Sequence, residues 1–251
     1  MRVITSPFVT IPAQLGNLRV VLVATRNPLN IGAAARAMSN FGFCHLRVVN
    51  PYEPAYREAR SAVGASELLA SAEEFGTIAE AVADCTLVVG TTAVRNRNLQ
   101  QPVRRLDSGG ILIRKRLGSS RVALLFGSER VGLSNEDLSH CHWLVRIPTC
   151  EQNISMNLGQ AVAVCLYELM RDPKSKPQAE KGVRATSGDL ETITGLLVHA
   201  LGASGYPGTA VSTEQKVRRA IRRLNLSSVD AEVWLGMLRQ IVWKLGAGVT
   251  Q

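Results

Sequence analysis

Hydrophobic residues in the first two thirds of the chain fall into short runs separated by segments of helical character. Residues 18–24 form an apolar run of the kind expected of a strand covered on both faces. Residues 46–49, 87–89, 122–126 and 143–147 repeat the signal. Between the first two runs, residues 30–41 are Ala-rich and predict a helix, with Asn30 as its N-cap and Gly42 as its stop. A second clear helix is predicted from about Asn157 to Leu169. It is apolar nearly all round, through Leu158, Ala161, Val162, Cys165, Leu166 and Leu169, so it is either buried or part of a subunit interface. This alternation over residues 18–171 predicts an α/β fold: a parallel sheet joined by right-handed crossovers. In such sheets ligands bind beyond the carboxyl ends of the strands.

The pattern then changes. Residues 172–189 (DPKSKPQAEKGVRATSGD) are polar, contain prolines and lack apolar periodicity, so they read as a linker. Three helices are predicted beyond it, at about 190–203, 213–225 and 229–246. The division expected is a main domain over 1–171, the linker, and a small helical domain over 190–251 that leans on the main domain or on a partner.

Composition narrows the class. The 251 residues are 46% hydrophobic and 20% charged, enough for a packed core and incompatible with global disorder. No apolar run approaches the ~18–20 residues of a membrane span. With no signal-peptide core near the N-terminus, a cytoplasmic protein is expected. Five cysteines without a C-x-x-C pair suit reduced thiols. His140, Cys141, His142 and Cys150 have no structural zinc spacing, so no metal is expected.

The net charge of +9 points to a polyanionic partner, because clustered cations neutralise phosphates and release counterions. Its distribution sharpens the point. Residues 95–105 carry Arg95, Arg97, Arg104 and Arg105 without an acid, and follow a strand, which predicts a loop that contacts nucleic-acid phosphates. From residue 171 onward, 12 Lys and Arg against 7 Asp and Glu leave +5. There Arg218, Arg219, Arg222 and Arg223 span about 140° of a helix at ~100° per residue. Val217, Ala220, Ile221 and Leu224 are expected to pack on the opposite side, leaving a basic stripe.

Three segments at predicted strand ends carry candidate chemistry. The first is NPLNIGAAARAM, residues 27–38, in which Asn30 and Gly32 mark a helix N-terminus, a natural anion site, and Arg36 follows. The second is FGSERVGLSNEDL, residues 126–138. Gly127, Gly132 and Ser134 have the spacing of a phosphate loop, but Leu133 stands where its lysine belongs, which excludes a nucleoside-triphosphate site. Glu129 is the unusual residue of that turn, and Ser134 with Asp137 predicts a capping box. The third segment runs from Ile147 through Ser155, Met156, Asn157 and Leu158 into the apolar helix. A serine hydrolase is excluded by the absence of a G-x-S-x-G elbow.

Together, and in this order, the three segments resemble the signature motifs of the SpoU-type (TrmH-like) branch of the SPOUT methyltransferases. The resemblance covers residues 18–171. It implies a parallel-sheet domain whose C-terminal part, about 121–171, is threaded into a trefoil knot, here followed by the small helical domain. It also implies a homodimer that binds S-adenosylmethionine. The cofactor would lie among Thr91, Gly127, Glu129, Gly132, Ile147, Ser155, Met156 and Leu158, a ligand without phosphates and so without need of the missing lysine. The reaction implied is methylation of a ribose 2′-oxygen, with Arg36, Ser155, Glu129 and Asn30 at the reacting centre.

Arg36 matches an arginine often assigned as general base. Bringing a guanidinium from above ~12 to 7 would cost roughly 7 kcal/mol. Arg36 is therefore expected to hold a substrate phosphate and orient the hydroxyl. RNA would be bound by Arg36, Arg95, Arg97, Arg104, Arg105, Arg218, Arg219, Arg222 and Arg223. The motif wording and the helical extension are similar to enzymes acting on the tRNA anticodon loop, with cytidine or uridine 32 the expected target. Another RNA such as rRNA, or an RNA-binding role without catalysis, remains the alternative.

Overall fold

The computed structural model describes residues 13–60, 66–93, 99–171, 183–206 and 211–247. A 3₁₀ turn, Ala13–Asn17, leads into β1 (Leu18–Val23), α1 (Pro28–Asn40), β2 (Leu46–Val49), α2 (Glu53–Arg60) and α3 (Ser66–Ala70). β3 (Glu73–Phe75), α4 (Ile78–Ala81), β4 (Leu87–Thr91), β5 (Val103–Arg105) and α5 (Leu106–Leu117) follow. β6 (Val122–Phe126), α6 (Asn135–Ser139), β7 (Trp143–Arg146) and α7 (Leu158–Met170) complete the α/β unit. Helices α8 (Ser187–Ala203), α9 (Val211–Arg223) and α10 (Ser228–Ala247) form the C-terminal unit.

The seven strands make one sheet of order β3-β2-β1-β6-β4-β7-β5, and every pairing is parallel. The interior strands are apolar on both sides because both faces are covered. Leu18, Val20 and Leu22 of β1, with Val122, Leu124 and Phe126 of β6, face a core completed by α1, α5 and α7. Val21, Val23, Ala123 and Leu125 face the other layer, where α4 and α6 supply Ile78, Ala81 and Leu138. Arg47 is the charged exception on β2. Its guanidinium donates to Asp84 at 2.6 Å, to Glu73 at 2.9 Å and to the Ala81 carbonyl at 2.8 Å, so its burial is compensated.

The sequence reading missed β3 and β5. Both are three-residue edge strands, and the residues of β5 are all exposed, so neither carries a buried run. β5 also corrects the expectation of one continuous arginine loop: Arg104 and Arg105 belong to a strand paired with β7. Arg95 and Arg97, the first twelve residues and most of the linker lie outside the described residues.

The predicted boundary of the C-terminal unit shifts too. α8 begins at Ser187 inside the expected linker, where Thr186 and Asp189 form a capping box. Ser187 and Gly188 donate backbone hydrogen bonds to the carbonyls of Cys85 and Ala83, tying the start of α8 to the α/β unit. Ala185, Leu190, Ile193, Ile221, Ala231 and Leu238 make a small core of its own.

Helices α1 and α7 pack against each other on one face of the sheet at very close range. A Cβ at Gly159 would sit 2.5 Å from the Cβ of Ala33. Glycine facing alanine is therefore what lets the two helices meet. Gly159→Ala is expected to lower stability by about 1–3 kcal/mol through overpacking, despite a helix-propensity gain near 1 kcal/mol. Denaturant unfolding checks this, and Ala33→Gly in the same chain should restore the loss.

Candidate functional site

The site is assembled at the carboxyl ends of β4, β6 and β7. After β6 the chain turns back on itself: Gly132 donates its N–H to the Ser128 carbonyl at 2.8 Å and has φ of 69°. A Cβ on Gly127 would lie 2.1 Å from the carbonyl carbon of Gly132, so only glycine closes this turn. The closure fixes Glu129 at the tip. Leu133, in the place of the phosphate-loop lysine, is buried in the wall beneath it.

Glu129 reaches the start of α1. Its Oε2 accepts from the Arg26 N–H at 3.3 Å, and its Oε1 from the Asn27 N–H at 3.3 Å and from Asn30 Nδ2 at 3.1 Å. The carboxylate thus meets the positive end of the α1 dipole and supplies acceptors for otherwise orphan amides. The N-cap of α1 is Asn27, whose side chain accepts from Leu29 N, and not Asn30 as the sequence suggested. Asn30 lies within the first turn of α1, which releases its side chain for contacts between segments.

Asn157 provides the third link. Its Oδ1 accepts from Gly159 N at 2.9 Å and caps α7, while its Nδ2 donates to Asn30 Oδ1 at 2.7 Å. Each amide is oriented by having one donor and one acceptor engaged. The result is a directed relay from the head of α7 through Asn157 and Asn30 to Glu129. It brings the three sequence segments into one construction.

Beside the relay lies a cavity of about 510 Å³, within the usual range for small-molecule sites. Thr91, Gly127, Glu129, Gly132, Ile147, Ser155, Met156 and Leu158 all line it, and Asn30 joins them. Phe126, Leu133, Leu138 and Val145 add apolar surface. Thr91 donates its hydroxyl to the Leu125 carbonyl at 2.9 Å, holding β4 to β6 at the cavity edge. The lining suits a ligand with an apolar body and a few polar contacts, and it offers no lysine for a triphosphate.

Arg36 stands apart from this wall. It is exposed on α1 and is not among the residues around the cavity. Arg104 lies over the Trp143 ring at 5.5 Å, and Arg105 pairs with Asp107 at 3.2 Å, both on the exposed sheet edge.

The basic stripe on α9 needs correction. Arg218 and Arg222 are buried, Arg223 is exposed, Arg219 is half-buried, and Ala220 and Leu224 face outward instead of packing. Arg218 donates to Glu136 at 2.8 Å, Glu191 at 3.0 Å, Glu214 at 2.6 Å and Ser139 Oγ at 3.0 Å. Burial works against its charge, but the bonds to Glu191 and the charges of Glu136 and Glu214 outweigh it and raise the guanidinium pKa. Arg222 bonds Glu191 at 3.3 Å, and burial pushes it down to about 10. These two cations dock α9 onto α6 and α8. The Glu214–Arg218 spacing of i,i+4 was the readable hint of pairing.

His140 sits in the same junction, 3.7 Å from Glu136 and 3.8 Å from Glu191. Both carboxylates are engaged by arginine, so they do not hold a proton on the imidazole. Burial, then Arg218 and Arg222, push its pKa down to about 3.

Two outcomes follow from these geometries. Glu129→Gln should speed amide exchange at Arg26 and Asn27 about tenfold, the equivalent of ~1.4 kcal/mol of charge-assisted bonding. For His140, the unfolded chain takes a proton below about 6.5 that the folded state refuses until about 3. Stability should fall through that window as pH drops, with a limiting slope near 1.4 kcal/mol per pH unit. His140→Asn should reduce the measured slope by one proton.

Residues 17–167 match the SpoU rRNA Methylase family. The tRNA (cytidine/uridine-2′-O-)-methyltransferase TrmJ of Sodalis glossinidius is 35% identical over 238 residues, spanning 90% of this chain and 92% of its own length. The protein of the same name from Escherichia coli O6:K15:H31 is 35% identical over 239 residues, covering 90% and 96%. Among solved structures, TrmJ from Z. mobilis ZM4 superposes with a TM-score of 0.77 at 32% identity, covering 89% of this chain and 98% of that one.

Proposed function

This chain belongs to the SpoU rRNA methylase family, and we propose that it methylates a ribose 2′-oxygen of tRNA, using S-adenosylmethionine, at cytidine or uridine 32 of the anticodon loop. The observation that carries this reading is the relay from Asn157 through Asn30 to Glu129, which builds a ligand-sized cavity from the three motif segments. The relatives support the substrate. They are named for cytidine/uridine 2′-O-methylation of tRNA and match this chain over 92% and 96% of their length, helical extension included.

The residues present fit the cofactor. Phe126, Leu133, Val145, Ile147 and Leu158 give the cavity apolar surface, Thr91, Glu129 and Ser155 its polar edge, and no phosphate-binding lysine intervenes. The group supplies an electrophilic methyl when bound. The chain's own part is to position the acceptor. Glu129 and Asn30 hold the head of α1 against the cavity, and Ser155 faces the reacting ribose from the third segment. Arg36 binds a phosphate of the target through its fork and orients the 2′-hydroxyl; guanidinium groups keep their proton at neutral pH, so it serves as donor and anchor.

A homodimer belongs to the same reading, because Arg36 lies outside its own cavity and Leu29 and Tyr167 leave apolar surface on α1 and α7. The trefoil knot does as well. β6 is inserted between β1 and β4, and β7 between β4 and β5, so the last third of the α/β unit re-enters the sheet interior. Such a knot is an exception to the usual rule of unthreaded chains. Acting on tRNA would place the protein in the cytoplasm, and among the described residues no helix is long and apolar enough to cross a membrane.

Methyl-labelled S-adenosylmethionine and total cellular RNA, followed by mapping of the labelled nucleotide, test the proposal. Label on the 2′-oxygen at position 32 is expected; label on rRNA alone, or on a base, would overturn it. Arg36→Ala should lower kcat about 100-fold, as loss of a positioning group does, while leaving cofactor affinity within about twofold.

A further inference from the structure

A second cavity, of about 490 Å³, lies between α9, the start of α6 and the segment entering β5. Gln100, Gln101, Asn135, Gln215, Lys216 and Arg219 line it, and no carboxylate is among its lining residues. Leu138 lines both this groove and the 510 Å³ cavity, so the two are neighbours.

The charge of the groove follows from the junction beneath it. Glu136, Glu191 and Glu214 are drawn onto the buried Arg218, with Glu191 also meeting Arg222. The acids of the neighbourhood are thereby spent on buried cations. No ion pair among the described residues engages Lys216 or Arg219, so the groove wall is positive. Amide side chains complete the lining; Gln101 gives one N–H to the Leu138 carbonyl and Gln215 one to Glu136, which orients both and leaves their carbonyl oxygens to accept from base and sugar edges.

We propose that this groove binds single-stranded RNA: nucleotides flanking the methylated one, with Lys216 and Arg219 on their phosphates and the amides on their polar edges. The inference rests on the RNA-methylating reading of the neighbouring cavity. Exposed bases in a loop need this combination of backbone cations and edge-reading groups. An acidic peptide would use the cations and leave the amides without a role.

The test uses the full chain and unmodified tRNA, with binding followed by fluorescence anisotropy over a range of salt. Lys216→Ala/Arg219→Ala is compared with Arg239→Ala/Lys244→Ala, which removes two exposed charges from the same helical unit without touching the groove. The groove variant should bind about tenfold or more weakly, with a salt slope reduced by about 1–2. The control should stay within about twofold, and S-adenosylmethionine affinity by calorimetry should be unchanged in both. Equal weakening in both variants would overturn the proposal by assigning the effect to overall charge. So would unchanged binding in the groove variant, or competition by polyglutamate matching that of a single-stranded RNA oligomer.

Lys216→Gln/Arg219→Gln gives a second reading should the alanine variant unfold. Binding is measured without turnover, which separates the two hypotheses. A wild-type chain that binds tRNA in the groove and does not methylate it would defeat the proposed function alone. Normal methylation at subsaturating tRNA by the groove variant would defeat the groove alone.

Discussion

The carboxylate of Glu129, held against the Arg26 and Asn27 amides that lead into α1, is the interaction on which the site depends. It is carried by a turn that has no room for a side chain at Gly127 and takes a left-handed φ of 69° at Gly132, and it receives hydrogen bonds from two backbone amides and one asparagine side chain. A negative group at a helix N-terminus is favourable wherever it occurs. Here the same contact also sets the distance between β1 and β6 loops, and so the mouth of the cavity. Asn30 transmits the constraint to Asn157, and Asn157 passes it to the first amides of α7. The close approach of Gly159 to Ala33 then fixes α7 against α1 from the other side. Polar orientation and steric fit at one helix pair thus converge on one small region.

Much of the fold was legible because interior parallel strands announce themselves as apolar runs. β1, β2, β4, β6 and β7 all do so, since each is covered on both faces. β3 and β5 are short edges without that requirement, and their residues read as loop. Candidate site residues were legible for a related reason: a glycine-edged turn, an asparagine at a helix head and a serine before an apolar helix are local patterns. Their partners were not. That Asn27 caps α1 while Asn30 reaches across to Glu129 and Asn157 is decided by contacts about one hundred residues apart in sequence.

The arginines of α9 show where periodicity misleads. Helical spacing says which side chains share a face, but not whether that face meets solvent or carboxylates. Arg218 and Arg222 lie on the packed side because Glu136, Glu191 and Glu214 converge there. A buried ion pair is weak evidence of stability, since desolvation opposes the Coulombic gain. Its better-supported use is specificity of arrangement. In this chain the arrangement concerned is the docking of the C-terminal helices on α6.

That docking gives α6 two tasks. Its N-cap, Ser134, directly follows the turn that carries Glu129, and its Leu138 forms part of the cavity wall. Its other side receives Arg218 through Glu136 and Ser139. A short helix of this kind has little stability of its own, so its position is set by what grips it at both ends. Displacement of the C-terminal unit would therefore reach the cavity through Leu138, without any change in the residues that line its opposite wall. The helical extension and the α/β unit are thus mechanically joined at α6, whose Leu138 lines the cavity on one side while Glu136 and Ser139 hold Arg218 on the other.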